Sequence, residues 1–493
     1  MADAKMLLDQ ALHFEGLQKM GDAIALYKDV ITLEPKNAFA YAHLSSCYFR
    51  LNHPQEANEF AKLAIRHEPK NTAYHLLYAR TLGAIGKRSE ELKHLKITSR
   101  LNPNHAETRL LLANEQWFAG ELDEAIDQYK LLHTAFPDET EYMKRLAFAY
   151  MFHGPQEEAV DVFEKLLEKE PKNAEQHFYY GLLLLSLDRQ KEAWPHYAWR
   201  HVYNPPHFKR FKNNYATWQG QDVAGKKMLL TWEQGIGDTI QFARYATALN
   251  EMGAEVILDI QAHLIELLSS LPHSAENPIR IHDTAQPQPE ADYLISLMDI
   301  PFICTHSNIE TPPIQTPYLQ APVDLIEHFA KSMAGLKGKK IGLSWQGNPN
   351  YPRDVARSIP LKDLSPLATI DGVDLVSLQC LHGTDQIKDF PHPLLDLEDD
   401  ILEGNRGLSR IAAVIENVDM VICCDSAIAH LAGALNKPTW LFIPTIPDWR
   451  WKLHGNSTSL YPCMRLIRAP KNHSWEQVVS QKLPELEEFI RKL

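Results

Sequence analysis

The stretch MLLTWEQGIGDTIQFARYATALN, from Met228 to Asn250, decides how the second half of this chain is read. Its first residues, Met228 to Trp232, are an apolar run with the length and character of a buried strand. Gly235-Ile-Gly237-Asp238 follows as a turn, and Ile240, Ala243, Ala246 and Leu249 then recur at helical spacing. A strand, a glycine turn and a helix start present backbone N–H groups that lack partners inside the helix, and these can meet a phosphate-bearing ligand. The same turn carries a carboxylate, Asp238, at its mouth.

The pattern recurs downstream. Met420–Cys424 reads as a strand, Asp425-Ser426-Ala427 as a turn, and Ile428–Leu435 as a helix. Asp425 or Ser426 is a natural N-cap, and Ser426 with the free N–H groups can hold a diphosphate. His430 lies about one turn further, on a face able to see the same ligand or to be satisfied inside the core. Between the two segments short apolar runs alternate with amphipathic helices. In the first half the runs are Met228–Trp232, Val256–Ile260, Ile279–His282 and Tyr293–Leu297; in the second they are Ile341–Trp345, Leu375–Leu378, Met420–Cys424 and Trp440–Ile443. That alternation predicts two Rossmann-like α/β halves with parallel sheets, facing a cleft at the carboxyl ends of their strands. Residues 208–336 form the first half and 337–493 the second, with a final helix from Trp475 expected to pack back across the hinge. A third loop, Trp345-Gln346-Gly347-Asn-Pro-Asn350, leads to Arg353 and Arg357, whose guanidinium groups suit phosphate oxygens or stand exposed on a loop.

Residues 1–207 follow another rule. Pro35, Pro69, Pro103, Pro137, Pro171 and Pro205 fall every 34 residues. Small residues keep phase at Ala11, Ser45, Ala79, Ala113, Ala147 and Gly181, and again at Ala23, Ala57, Ala125, Ala159 and Ala193, broken only by Glu91. Small residues let paired helices approach and the proline stops the second helix, so an all-α solenoid of six helical pairs is expected. The pattern resembles the tetratricopeptide repeat. One pair cannot bury its apolar face alone, so neighbours stack around a concave groove, which the resemblance assigns to a peptide or protein. Asn71, Asn104 and Asn114 are polar candidates for that groove, or else helix-end residues. Trp194, Tyr197, Trp199 and Tyr203, before Pro205-Pro206, read as the joint to the α/β part.

A net charge of −13 argues against nucleic acid and anionic membrane as main partners. The six cysteines show no C-x-x-C spacing and the N-terminus has no basic region followed by an apolar core, so a cytoplasmic protein with reduced thiols and no membrane span is expected. A G-x-G-x-x-G fingerprint would need glycine at Ile240, and neither a GxxxxGK[ST] loop, an H-E-x-x-H pair nor a G-x-S-x-G elbow occurs.

Gly235-x-Gly-Asp238, Arg357-Ser-Ile-Pro360 and Asp425-Ser-x-x-x-His430 resemble the bacterial heptosyltransferase group of GT-B glycosyltransferases over about residues 225–470. With the repeats, Glu233–Asp238, Asp425–His430 and Pro447-Asp-Trp-Arg-Trp451, the whole is similar to bacterial tetratricopeptide proteins carrying such a domain, some linked to flagellin or other protein glycosylation. In outline it is also similar to O-linked N-acetylglucosamine transferase. The resemblance implies a nucleotide-sugar co-substrate on the second half and a hydroxyl acceptor on the first, with neither cofactor nor metal. It implies Asp238 as general base in a single, inverting displacement, and Gln234, Gly235 and Gly237 in the acceptor-side loop. Trp345, Gln346, Gly347, Arg357, Asp425, Ser426, Ala427 and His430 are then the donor-side residues. The departures are Arg357, near which the family often has lysine, and Ala427, where it has glycine. The rival reading is a non-catalytic scaffold of repeats and GT-B fold acting in assembly.

Overall fold

The computed structural model describes residues 2–204, 215–310, 315–351, 353–404, 406–471 and 473–493. The chain divides into two compact units, Met1–Pro171 and Lys172–Leu493.

The first unit is five helical pairs. Their first helices, Ala2–Gly16, Ala38–Arg50, Thr72–Ala84, Ala106–Phe118 and Thr140–Phe152, repeat the 34-residue phase, each followed by a partner helix. The starts are set by residues in the same phase: Asn37 accepts from Ala40 N at 2.9 Å, Asn71 from Ala73 N at 3.1 Å and His105 from Thr108 N at 3.2 Å. Asn71 is therefore a helix-end residue, and Asn114 accepts the Tyr129 hydroxyl at 2.7 Å. The small positions Ala11, Ser45, Ala79, Ala113 and Ala147 are all sealed from solvent. Tyr27, Val30, Ala40, Leu44 and Cys47 show how neighbouring pairs share one core. Glu91, in a slot otherwise filled by alanine, is only 8% exposed. Gly83 makes room for it, since a Cβ there would stand 2.5 Å from the carboxylate. Burial pushes that carboxyl up to about 7.

The sixth pair, Ala174–Ser186 and Gln190–Tyr197, lies in the second unit together with the short helix Arg200–Tyr203. The aromatic residues of this pair pack on α/β residues. Trp449 has its ring centre 6.0 Å from Trp194 and 6.2 Å from Tyr197, Leu453 N donates to Ser186 O at 3.1 Å, and Lys452 pairs with Asp188 at 2.7 Å. The expected repeat proline Pro205, with Pro206 and the 207/208 boundary, lies outside the described residues.

The α/β part holds two parallel five-stranded sheets. The first contains β1 (Ala216–Thr217), β2 (Lys227–Thr231), β3 (Glu255–Ile260), β4 (Arg280–Asp283) and β5 (Tyr293–Ser296) in the order β1-β5-β2-β3-β4. The second contains β6 (Lys339–Ser344), β7 (Val373–Ser377), β8 (Met420–Cys424), β9 (Thr439–Ile443) and β10 (Met464–Arg468) in the order β10-β9-β8-β6-β7. In the first sheet Met228 pairs with Val256 and Leu230 with Leu258; in the second Leu343 pairs with Ile422. Their buried faces give the run-like sequences from which the halves were read. The edge strands β1 and β10 were not expected. The helix Trp475–Ile490 does not cross the hinge: Val478, Val479, Leu486 and Ile490 join the core of the second sheet with Ile341, Met420 and Trp440. The Leu364–Ile370 segment is a 3₁₀ run, Leu361–Thr369, interrupted by Pro366.

Candidate active site

Both sheets deliver their central strands to the same place. After β2 the chain turns through Trp232–Gly235 into the helix Ile236–Glu251; after β8 it turns through Asp425 and Ser426 into the helix Ala427–Ala434. The two helices pack directly. A Cβ on Gly237 would meet His430 Cδ2 at 2.9 Å and Ala427 Cα at 3.4 Å, so this glycine serves the approach of one helix to the other.

Asp238, at the third position of its helix, accepts the Gly235 N–H on Oδ2 at 2.8 Å. Its Oδ1 receives Arg450 Nη2. Burial raises its pKa, the Arg450 guanidinium opposes that, and the carboxylates of Asp448 and Glu233 reinforce it. Each oxygen retains a lone pair for a further proton. Arg450 also donates through Nε to Gln241 Oε1 at 2.6 Å and through Nη1 to Asp448 Oδ1 at 2.8 Å. One side chain from the second half thus holds two residues of a helix from the first. Arg244 does the converse. It lies on the first-half helix between the rings of Tyr318 and Tyr461, at 4.6 and 4.7 Å, and donates to Leu460 O at 3.0 Å. Gln234 and Gly235 are exposed at the mouth of the turn.

On the second half, Asp425 is buried, and desolvation with the Asp448 carboxylate pushes it up to about 6 against Arg357 and Arg450. Ser426 is the N-cap by position, yet its hydroxyl makes no cap hydrogen bond; it is sealed from solvent beside the Cys424 thiol, with which it interacts, and Ala427 opens the helix next to it. Arg357 donates Nε to Asp354 at 3.0 Å and lies 4.6 Å over the Tyr351 ring. Gly347 permits that arrangement, since a Cβ there would stand 2.4 Å from Arg357 Nη2. Gln346 gives its amide oxygen to Gln386 Nε2 at 3.1 Å and sits partly exposed.

Two expected donor-side residues are placed otherwise. Trp345 is fully sealed, with Nε1 donating to Gly383 O at 3.1 Å, so its indole is part of the core. His430 has Nδ1 against the Tyr461 hydroxyl at 3.0 Å and its ring stacked on Trp451 at 5.3 Å. Burial, with Arg450 and Arg244 nearby, holds its pKa well below the usual range, so it is a neutral histidine of the helix–helix interface.

Sequence reasoning missed Arg450 and Asp448 as site residues, although Pro447-Asp-Trp-Arg-Trp451 was in view. It also missed Gln379. The Oε1 of that amide accepts from Trp345 N at 2.9 Å and Gln346 N at 3.0 Å, and its Nε2 donates to Gln346 O at 2.9 Å, which fixes the donor-side loop. Nothing in its local sequence marks it.

Family models for tetratricopeptide repeats match residues 16–81 and 145–173, and the model for Glycosyltransferase family 9 (heptosyltransferase) matches residues 393–460. This chain carries tetratricopeptide repeats and a heptosyltransferase-type segment. That segment includes Asp425–His430 and Pro447–Trp451 and leaves Asp238 outside. Protein FlbA of Caulobacter vibrioides is 26% identical over 337 residues, 64% of this chain and 55% of that protein, so the chain spans about half its length. Among solved structures, MamA is 24% identical with a TM-score of 0.33, over 36% of this chain and 96% of that one. YrrB, described as a TPR protein with an unusual peptide-binding site, is 21% identical with a TM-score of 0.33, over 35% and 88%. Among the described residues no group of three or more His, Cys, Asp or Glu side chains is placed to hold a metal ion, and no helix is long and apolar enough to cross a membrane.

Proposed function

We propose that the α/β part is a glycosyltransferase that moves a sugar from a nucleotide-sugar donor to a hydroxyl acceptor on a protein recruited by the repeats, for example a flagellin-like one. The observation that carries this reading is the start of the Ala427–Ala434 helix, which no Ser426 cap bond closes, packed against the helix that carries Asp238. The donor diphosphate takes the helix start and Ser426, with Gln346, Gly347 and Arg357 on the neighbouring loop. Asp238 takes the proton of the acceptor hydroxyl as that oxygen attacks the anomeric carbon, and a single displacement of this kind inverts it. No metal is assigned to the step; the departing charge is met by Arg357 and by helix amides. The chemistry belongs where nucleotide sugars and unfolded or newly made acceptor proteins coexist, the cytoplasm.

One observation favours the alternative, a non-catalytic scaffold: both oxygens of Asp238 already have partners inside the protein. Thermal shift against UDP-, GDP-, dTDP-, ADP- and CMP-linked sugars separates the two. A rise in melting temperature with one nucleotide class, and turnover of that donor, is the result expected of the transferase. No rise with any of them leaves the scaffold.

A further inference from the structure

The loop that carries the proposed base is gripped at both ends from outside its own sheet. At its start Glu233, 8% exposed, takes Arg200 Nε on Oε1 and Arg200 Nη2 on Oε2, both at 2.8 Å, and the Ser296 hydroxyl at 2.7 Å. Arg200 is itself buried; its Nη2 also donates to Asp299 at 2.6 Å, and its guanidinium lies 4.7 Å over the Tyr197 ring. It comes from the short helix that follows the sixth helical pair. At the loop's other end Asp238 receives Arg450. The residue before Arg450 is Trp449, whose ring rests on Trp194 and Tyr197 of that same pair. Both guanidinium groups therefore lie beside one helical pair, and Tyr197 stands close to both.

A bidentate fork fixes the plane of the carboxylate it holds, and a buried fork fixes it against the surrounding core. Buried pairs of this kind contribute little net stability against apolar replacements, so conformational specificity is the gain to look for. A base must sit within a few tenths of an ångström of its working position, and neighbouring groups with locked rotamers supply that precision. We propose that Arg200 and Arg450 are a pair of positioning residues for Asp238, and that the sixth helical pair belongs to the frame of the active site. The base role rests on the function proposed above; the grip on the loop stands apart from it. The groups facing Asp238 are Arg450 and Asp448 from the loop after β9, Glu233 from its own loop, Tyr197 from the sixth pair and His430 from the facing helix.

The test uses the full-length chain with Arg200→Gln, Arg450→Gln and Arg450→Lys. Hydrogen exchange of the peptide 232–240 is expected to quicken at least about 10-fold in both glutamine variants, with 439–443 in β9 unchanged. Unchanged exchange at 232–240, or an equal rise in both peptides, overturns the proposal. Turnover of the nucleotide sugars named above gives the second readout. Loss of the Arg450 cation moves the acid limb of the rate upward by about 1 pH unit, and Arg450→Lys returns it. A limb that stays in place in Arg450→Gln overturns the role of Arg450. Absence of any turnover by the parent protein counts against sugar transfer alone, and the exchange comparison then decides the positioning.

Discussion

Two strands of this molecule, β2 and β8, end in a turn and a helix, and the two turns are finished differently. After β2 the helix supplies its own anion: Asp238 turns back and takes the Gly235 N–H at 2.8 Å. After β8 the N-cap residue, Ser426, makes no cap hydrogen bond. A helix start attracts one negative group, from within or from outside. The first turn is therefore filled by the carboxylate proposed as the base, while the second is the one proposed to take a ligand's phosphate. Two segments with one local sequence plan are thus finished differently.

The comparison breaks first at Asp238. Asp238→Asn keeps an acceptor for the Gly235 N–H and removes the charge, so transfer should fall by about 10²–10⁴-fold with nucleotide affinity nearly unchanged. Steady-state rates beside isothermal titration read the two separately, and retained turnover would remove this residue from the chemistry.

Ser426→Asp puts a carboxylate at the second turn as well, here at the N-cap itself. The new carboxylate should cap its helix, stabilise the protein by about 0.5–1 kcal/mol and weaken nucleotide binding by at least about 10-fold. Tighter binding in that variant would contradict the assignment of the open helix start to phosphate.

Gly237→Ala sharpens the comparison where the helices meet. Its Cβ would stand 2.9 Å from a His430 ring pinned by Trp451 and Tyr461, and overpacking of this kind costs about 1–3 kcal/mol. A lowered melting temperature in denaturation scans is the expected outcome; an unchanged one would show that the helices part freely.

A change in the first unit, with no expected effect on nucleotide binding, supplies the control. Glu91 has its folded-state carboxyl raised to about 7 from 4.5, so the folded protein binds that proton more tightly than the unfolded chain does. Its contribution is intact below about pH 4.5, declines as pH rises to about 7, and changes no further. Glu91→Ala restores the small residue of its repeat position, and Gly83→Ala fills the room that the glutamate needed. The pair should gain about 1–2 kcal/mol at pH 8, with the advantage shrinking toward pH 4.5. A gain independent of pH would mean that glycine replacement alone accounts for it.

The helical pairs were legible because a small residue every 34 positions is a local requirement of helix approach, repeated until phase alone reveals it. The central strands were legible as apolar runs for the same kind of reason: burial on both faces leaves its mark in the residues themselves. The edge strands escaped. β1 is two residues long, and β10, Met464–Arg468, alternates arginine with apolar residues and resembles no buried run. Asp238, Ser426 and Arg357 are legible as candidates from the turns they occupy. Trp345, the residue after β6, has a sealed indole, and the sequence gives no sign of which way its side chain turns.

By itself, the sequence determined the helical pairs, the two parallel sheets and the turns that end β2 and β8, because each follows from contacts between residues close in the chain or from repeated burial. Which turn is closed and which is open, which arginine meets Asp238, and that His430 serves a helix interface were decided only by tertiary structure. Arg450 is 212 residues from Asp238, and His430 stands 31 residues before the Tyr461 hydroxyl that holds it. Pairings across such distances depend on how two sheets are brought together, and no local pattern records them.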